Sequence, residues 1–519
     1  MPTLPRRAAG IGITAVLAAV AAIVAVFILT GSSKAGEVNL TTAKLVPADA
    51  GFYLALNTDL SSSQWVAAFD LAERLGADDP ENALKDEAFG MDWESEIAPF
   101  LGGNAAFFVR AVDVEAFNME GGVIVKCKDA VKCSKVFVKQ SGFEFEKETH
   151  EGVEYATSDG GLLMAVIDGH LVVTTDEASM HSVIDVHKGK AKSLASIDDF
   201  QKLRDELTKN FLAFVYLNTA DLTGDFLLND PVIRTALDQS GTADLVFKPM
   251  AMVMGAKAEG FEYAAASASD GGTAGPMLQP HTSKFAAVVP QNASVFISTN
   301  NLAKTWKDAL ANSRADIDKA IREEGTYRDL DEALRDAGRQ VGLKSVEEII
   351  ELLEGESAIA GWFPNGSEES ATGLMLFEVK DEAKARSVLD RVFTASAVGR
   401  PAKQTVNGVE LTVIRDEDGE QLAYGITNGY AAVGALEAVT ATIDRKENPL
   451  TDLGIYQRAT AGQTLGTFAF FNLVELTRLT EGGVPPVLDE ATKALEGLML
   501  NAVEANGVAR ISGLMTVAK

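Results

Sequence analysis

Leu162-Leu163-Met164-Ala165-Val166-Ile167-Asp168-Gly169-His170-Leu171-Val172-Val173-Thr174 and Leu422-Ala423-Tyr424-Gly425-Ile426-Thr427-Asn428-Gly429-Tyr430-Ala431-Ala432-Val433 are the two stretches on which the fold turns. Each is a pair of apolar, β-prone runs separated by two residues that accept positive φ, and such a pair closes as a hairpin. One hairpin lies in each half of the chain, and the residues around them also correspond. Glu151-Gly152 precedes the first hairpin as Asn407-Gly408 precedes the second, and Glu259-Gly260 follows it as Asn506-Gly507 does.

The series extends toward the start of each half. Pro47 leads into Phe52–Asn57, and Pro290 leads into Val295–Asn300, each a short strand ending on asparagine. A helical pattern follows, with Trp65, Ala68, Phe69 and Ala72 on one stripe and Trp306, Ala309 and Leu310 beginning another. This spacing assigns both tryptophans to a core rather than to a ligand-stacking surface. Gly103 and Gly355 each stand before a strand. Phe211–Leu217 ends on Asn218, and Thr467–Phe471 ends on Asn472. Ordered repetition of this kind predicts two copies of one unit. Strands joined as hairpins, with helices between strand groups, predict an α+β fold with antiparallel sheets.

Residues Gly10–Thr30 carry no charge and would make a helix about 31 Å long, enough to cross a hydrocarbon core. Arg6 and Arg7 precede them, so the positive-inside rule exports the rest of the chain. The expected layout is a cytoplasmic N-terminus at 1–9, a single transmembrane helix at 10–30 and a tether at 31–43. A first repeat at 44–276, a linker at 277–285 and a second repeat at 286–519 complete it. The lipid bilayer is then a partner through residues 10–30, and the bulk of the chain is extracytoplasmic at the cell membrane. The alternative is a cleaved signal, with Ser33-Lys34-Ala35 as a small-x-small site. A lipoprotein anchor is excluded, because Ser32 stands where the lipidated cysteine belongs.

Composition narrows the function. The formal net charge is −28, and beyond residue 31 there are 44 basic against 74 acidic side chains. Such a surface repels phosphate backbones, so no nucleic acid is expected as a partner. Cys127 and Cys133 are the two cysteines; their spacing fits neither a thioredoxin pair nor a zinc knuckle, leaving a local disulfide or two free thiols. His181 and His187, six apart, do not share a helical face and point to no metal. Asp416-Glu417-Asp418-Gly419 lacks the length of a calcium loop and reads as a hairpin turn. No serine sits on a G-x-S-x-G elbow. Neither a catalytic set nor a cofactor is expected.

Val46-Pro47-Ala48-Asp49, Asn57-Thr58-Asp59, Gln64-Trp65 and Asp92-Trp93-Glu94 leading to Pro99-Phe100-Leu101-Gly102 resemble a bacterial family defined by domain of unknown function 3352. Phe100 stands where that pattern has tryptophan. The resemblance implies an envelope protein and carries no catalytic residues. Two functions remain in view: a non-catalytic binding or scaffold protein of the envelope, and a carrier or sensor that holds a hydrophobic small molecule or lipid between sheet and helices. An exposed apolar patch over filled cores favours the first, an apolar cavity the second.

Overall fold

Positive φ at paired turn residues sets the hairpins. Glu151 and Gly152 take φ of 49° and 74°, and Asn407 and Gly408 take 46° and 79°. Asp168 and Gly169 (50° and 72°) match Asn428 and Gly429 (48° and 77°) in the same way. These are two-residue turns of the type whose twist suits flanking strands. The structure, a computed structural model, describes residues 40–82, 101–113, 118–218, 248–268, 275–364, 367, 370–478 and 493–519.

The chain divides into two compact units, Met1–Ala268 and Ser269–Lys519. Strands of the first unit, in neighbour order, are β4 (Phe145–His150), β5 (Val153–Ser158), β6 (Leu163–Ile167), β7 (His170–Thr174), β3 (Asn118–Cys127), β2 (Leu101–Asp113), β1 (Phe52–Asn57), β8 (Ala213–Leu217), β9 (Met250–Lys257) and β10 (Gly260–Ala268). In the second they are β14 (Ala402–Val406), β15 (Val409–Arg415), β16 (Gln421–Thr427), β17 (Tyr430–Ala435), β13 (Thr372–Glu378), β12 (Glu356–Trp362), β11 (Val295–Asn300), β18 (Thr467–Asn472), β19 (Leu495–Ala505) and β20 (Val508–Val517). All these pairings are antiparallel, and the two orders are the same strand for strand.

Helices fall at equivalent points as well. In the first unit they are α1 (Ser63–Arg74), α2 (Ala130–Ser141), α3 (Glu177–His187) and α4 (Asp198–Asp205). In the second they are α5 (Leu302–Glu324), α6 (Leu330–Gln340), α7 (Glu347–Ile350), α8 (Glu382–Ser396), α9 (Leu436–Asp444), α10 (Gly454–Thr460) and α11 (Leu473–Thr477). Asp129 caps α2 by accepting from the Lys132 amide, as Asp381 caps α8 by accepting from that of Lys384. The caps satisfy amides that a helix start leaves open. In the second unit the core lies on both faces of the sheet. Phe296, Leu376, Leu411, Val439, Tyr456 and Phe470 fill one side, and Phe377, Leu389, Phe393, Tyr424 and Ile426 the other.

Several expectations are corrected. No helix among the described residues is long and apolar enough to cross a membrane. The longest described, α5, has 23 residues but carries Lys304, Lys307, Asp308, Arg314 and further charges along its length. The transmembrane helix, the single-pass cell-membrane placement and the bilayer contact are therefore withdrawn; residues 10–30, on which they were based, lie outside the described residues. The tether does not reach residue 43, because Leu40, Thr42 and Ala43 are already buried. Residues 277–285 are not a free linker. The Met277 carbonyl accepts from Thr467 Oγ1 at 2.8 Å, the His281 amide donates to the Leu465 carbonyl at 2.8 Å, and Phe285 is buried in the second unit's core. The turn before β10 is Ala258-Glu259 rather than Glu259-Gly260, since Gly260 pairs with Lys257.

Candidate functional site

The repeat landmarks turn out to be clamps. Pro47 and Pro290 form isolated bridges with Ser193 and Pro449. The Gly103 carbonyl accepts from the Thr58 amide and the Gly355 carbonyl from that of Asn301. The Asn218 amide reaches the Gly51 carbonyl at 2.7 Å, and the Asn472 amide reaches Ser294 at 2.9 Å. Asn57 is buried, donating through Nδ2 to Ser62, while its carbonyl accepts from Trp65 Nε1 at 2.8 Å. Asn300 has no matching role: its Oδ1 accepts from the Asn301 amide, and Asn301 turns at φ 55° straight into α5. Starting that helix earlier rotates Trp306 out of the core. Trp306 is 46% exposed where Trp65 is 1%, so the core assignment fails for Trp306.

At the position where strand two meets strand one, the units hold different buried polar groups. Asn104 accepts from Thr42 Oγ1 at 2.6 Å in the first. In the second, Glu356 accepts from Ser298 at 2.9 Å, from Ser283, and from the Lys284 amide at 2.8 Å. His281 Nε2 reaches Ser298 Oγ at 3.0 Å, and burial pushes this imidazole's pKa down. Ser298 is wholly buried, which suits a strap and not a nucleophile.

Cys127 and Cys133 are joined in a disulfide with Cα atoms 6.4 Å apart, tying the end of β3 to α2. Asp416–Gly419 forms the turn between β15 and β16, with Gly419 at φ 86° and Asp416 Oδ1 accepting from the Glu420 amide. His187 Nδ1 lies 2.9 Å from Asp168 Oδ2, and His170 is buried, its pKa pushed down by that burial and then by Lys126.

The cluster that the six-residue histidine spacing misses lies between the β4–β5 hairpin and α3. Glu177, His181 and Asp185 recur every four residues along one stripe of α3. His150, at the end of β4, presents Nε2 to Asp185 Oδ1 at 3.0 Å. Its ring stacks on His181 with centroids 3.8 Å apart and planes 9° from parallel. His181 Nε2 lies 3.2 Å from Tyr155 Oη, which donates to Glu148 Oε2 at 2.8 Å. Burial, and then Glu148, pushes the Tyr155 phenol up to about 12. Glu151 turns the corner beside His150, and its carboxylate pairs with Lys190. In sequence the signal is a His-Glu pair on a hairpin turn together with His-x-x-x-Asp on a helix.

Among the described residues, each unit has a hollow open to solvent. One of about 780 Å³ in the first unit is bordered by Gln64, Asp70, Lys257 and Glu262; one of about 750 Å³ in the second by Gln404, Glu420, Glu437 and Asp444. Charged and amide side chains border both, alongside Val66, Ala67, Ala256 and Ala258 in the first.

The chain belongs to the family described as Protein of unknown function (DUF3352), which matches residues 11–490. No curated protein matches. Among solved structures, crystal form III of TP0453 is similar at 12% identity and a TM-score of 0.25, over 43% of this chain and 78% of that one. Crystal form I of TP0453 gives 10% identity and a TM-score of 0.25 over 45% and 80%. At such TM-scores neither carries an argument.

Proposed function

We propose that this chain is a non-catalytic binding protein whose second unit engages a protein partner through the outer face of its sheet. The observation that supports this is a partly exposed apolar row across β12, β11, β18, β19 and β20: Ile359, Ile297, Ala469 and Leu500 stand in register, with Ile511 nearby on the same face, and the row ends at Met375 on β13, which packs against the core on that side. Ile359 is 54% exposed and Ile511 55%. Contiguous apolar surface of this kind on a folded sheet marks an interaction site. The carrier reading loses ground, since both hollows are open to solvent and neither is an enclosed apolar cavity.

The test is a photo-crosslinking amino acid at Ile359 or Ile511 in the host cell, with exposed Lys307 as control. Discrete protein adducts at the first two positions, lost when the other is changed to glutamate, are expected. Lipid adducts, or the same adducts from Lys307, overturn the reading.

A further inference from the structure

We propose that His150, Glu151 and Asp185 form a binding site for a divalent first-row transition ion, with zinc as the representative, independent of the protein-docking face of the second unit. One ligand atom from each of the three lies within 4.8 Å of the other two. Ligands of one zinc ion at bond lengths of about 2.0–2.2 Å stand about 3.5 Å apart, so side-chain rotations alone close the set. His150 and Asp185 are half-buried and fixed by strand and helix, while Glu151 is exposed and held only by its surface pair with Lys190.

Three further features point to a ligand and not merely to a hydrogen-bonded corner. First, Glu151 occupies a left-handed turn position at φ 49°, where a side chain of its kind is disfavoured and where the second unit carries Asn407. Second, the equivalent hairpin of the second unit has Val406 for His150 and Leu411 for Tyr155, both buried in its core. The frame therefore closes there without an imidazole or a phenol, with only Asn407 Nδ2 reaching the Ile443 carbonyl at 3.5 Å. Third, Glu148 and Tyr155 orient the His181 ring, and that ring stacks on His150 and fixes its plane. On binding, His150 adopts the tautomer with hydrogen on Nδ1, and Nε2 exchanges its hydrogen bond to Asp185 for the metal. Two carboxylates offset the charge of a dication, and Lys190 on Glu151 is the competitor it displaces. One imidazole with two carboxylates suits zinc, nickel or copper, whereas magnesium and calcium call for all-oxygen sets.

The full-length protein, stripped with chelator, should bind one equivalent of zinc by competition against a chromophoric chelator, undisturbed by excess magnesium. H150V, which installs the residue of the second unit, and D185N should each weaken binding at least about tenfold. K190M should tighten it, a result that a structural role for the cluster does not produce. H187Q, at the other surface histidine–aspartate pair, should leave it unchanged. Circular dichroism verifies the fold of each variant, and D185N carries the test if H150V does not fold. Binding that is absent, that survives both H150V and D185N, or that follows His187 overturns the proposal.

Discussion

Glu151 sets the stability of a turn against the chemistry of a site. Asparagine and glycine enter the left-handed region at lower cost than glutamate. E151N should therefore raise stability by a few tenths to about 1 kcal/mol, the lost pair with exposed Lys190 mattering little. The same change should weaken zinc binding, and urea unfolding beside metal titration reads both. The two tryptophans diverge just as sharply. W65A removes a wholly buried indole and its hydrogen bond to Asn57, and should cost about 3–5 kcal/mol. W306A should cost less than about 1 kcal/mol, because its ring is already half in water. Glu348 supplies a pH signature. The Arg391 guanidinium, hydrogen-bonded to both of its carboxylate oxygens, holds its pKa down at about 2 against the opposing effect of burial. A depressed carboxylate stabilises the fold above its unfolded value of about 4.3, and that stabilisation is lost as pH falls toward 2. The two side chains are 24% and 35% exposed, which screens the pair to about 1 kcal/mol. The stability gap between wild type and E348Q should be present at pH 7 and close between about pH 4 and 2; a gap that persists at pH 2 contradicts the assignment.

Elements were legible in the sequence to the extent that their signal was local. The hairpins at Gly169 and Gly429 follow from their dipeptides, and α1 follows from its apolar stripe. The second tryptophan helix was legible as a helix but its buried face was not, because one left-handed residue, Asn301, launches α5 at Leu302 and shifts its phase. Strand order was beyond reading: β1 lies between β2 and β8, a pairing across more than a hundred residues that no periodicity encodes. The zinc cluster was hidden for a similar reason, since His150 and Asp185 meet only after α3 has packed over the hairpin. The Cys127–Cys133 bond belongs to this scale also. It closes a loop of six residues, so its contribution through the unfolded chain is about 2 kcal/mol at most. The second unit has Val379, just past the end of β13, and Ala385, on α8, at the same places, so C127V/C133A should fold with its strands intact and lose no more than that in urea. Loss of the folded state would give the bridge a role that the second unit manages without.

At the scale of the whole molecule, two units share a frame but not their side-chain chemistry. The same ten-strand order recurs, yet Asn104 becomes Glu356, Tyr155 becomes Leu411, and His150 becomes Val406. Backbone pairing and turn geometry are thus the repeated elements, and the polar groups vary around them. Within each unit the described ladders run through all ten strands, and the second unit's two core clusters contain only its own residues. A domain needs a ladder and a core of its own to fold alone. Residues 40–268 and 269–519, expressed separately, should therefore each show strand-rich circular dichroism and a cooperative urea transition. The slope of each transition should be about half that of the intact chain, because it scales with the surface exposed on unfolding. Lys284 links the segment 275–285 to Glu356 through its amide and to Glu378 through its ammonium. A fragment beginning at Val288 lacks Phe285 and this strap, and should unfold at lower urea than one beginning at Ser269. Equal midpoints for the two fragments would show that residues 275–287 add nothing to the second unit, and its boundary would then return to the neighbourhood of Pro290.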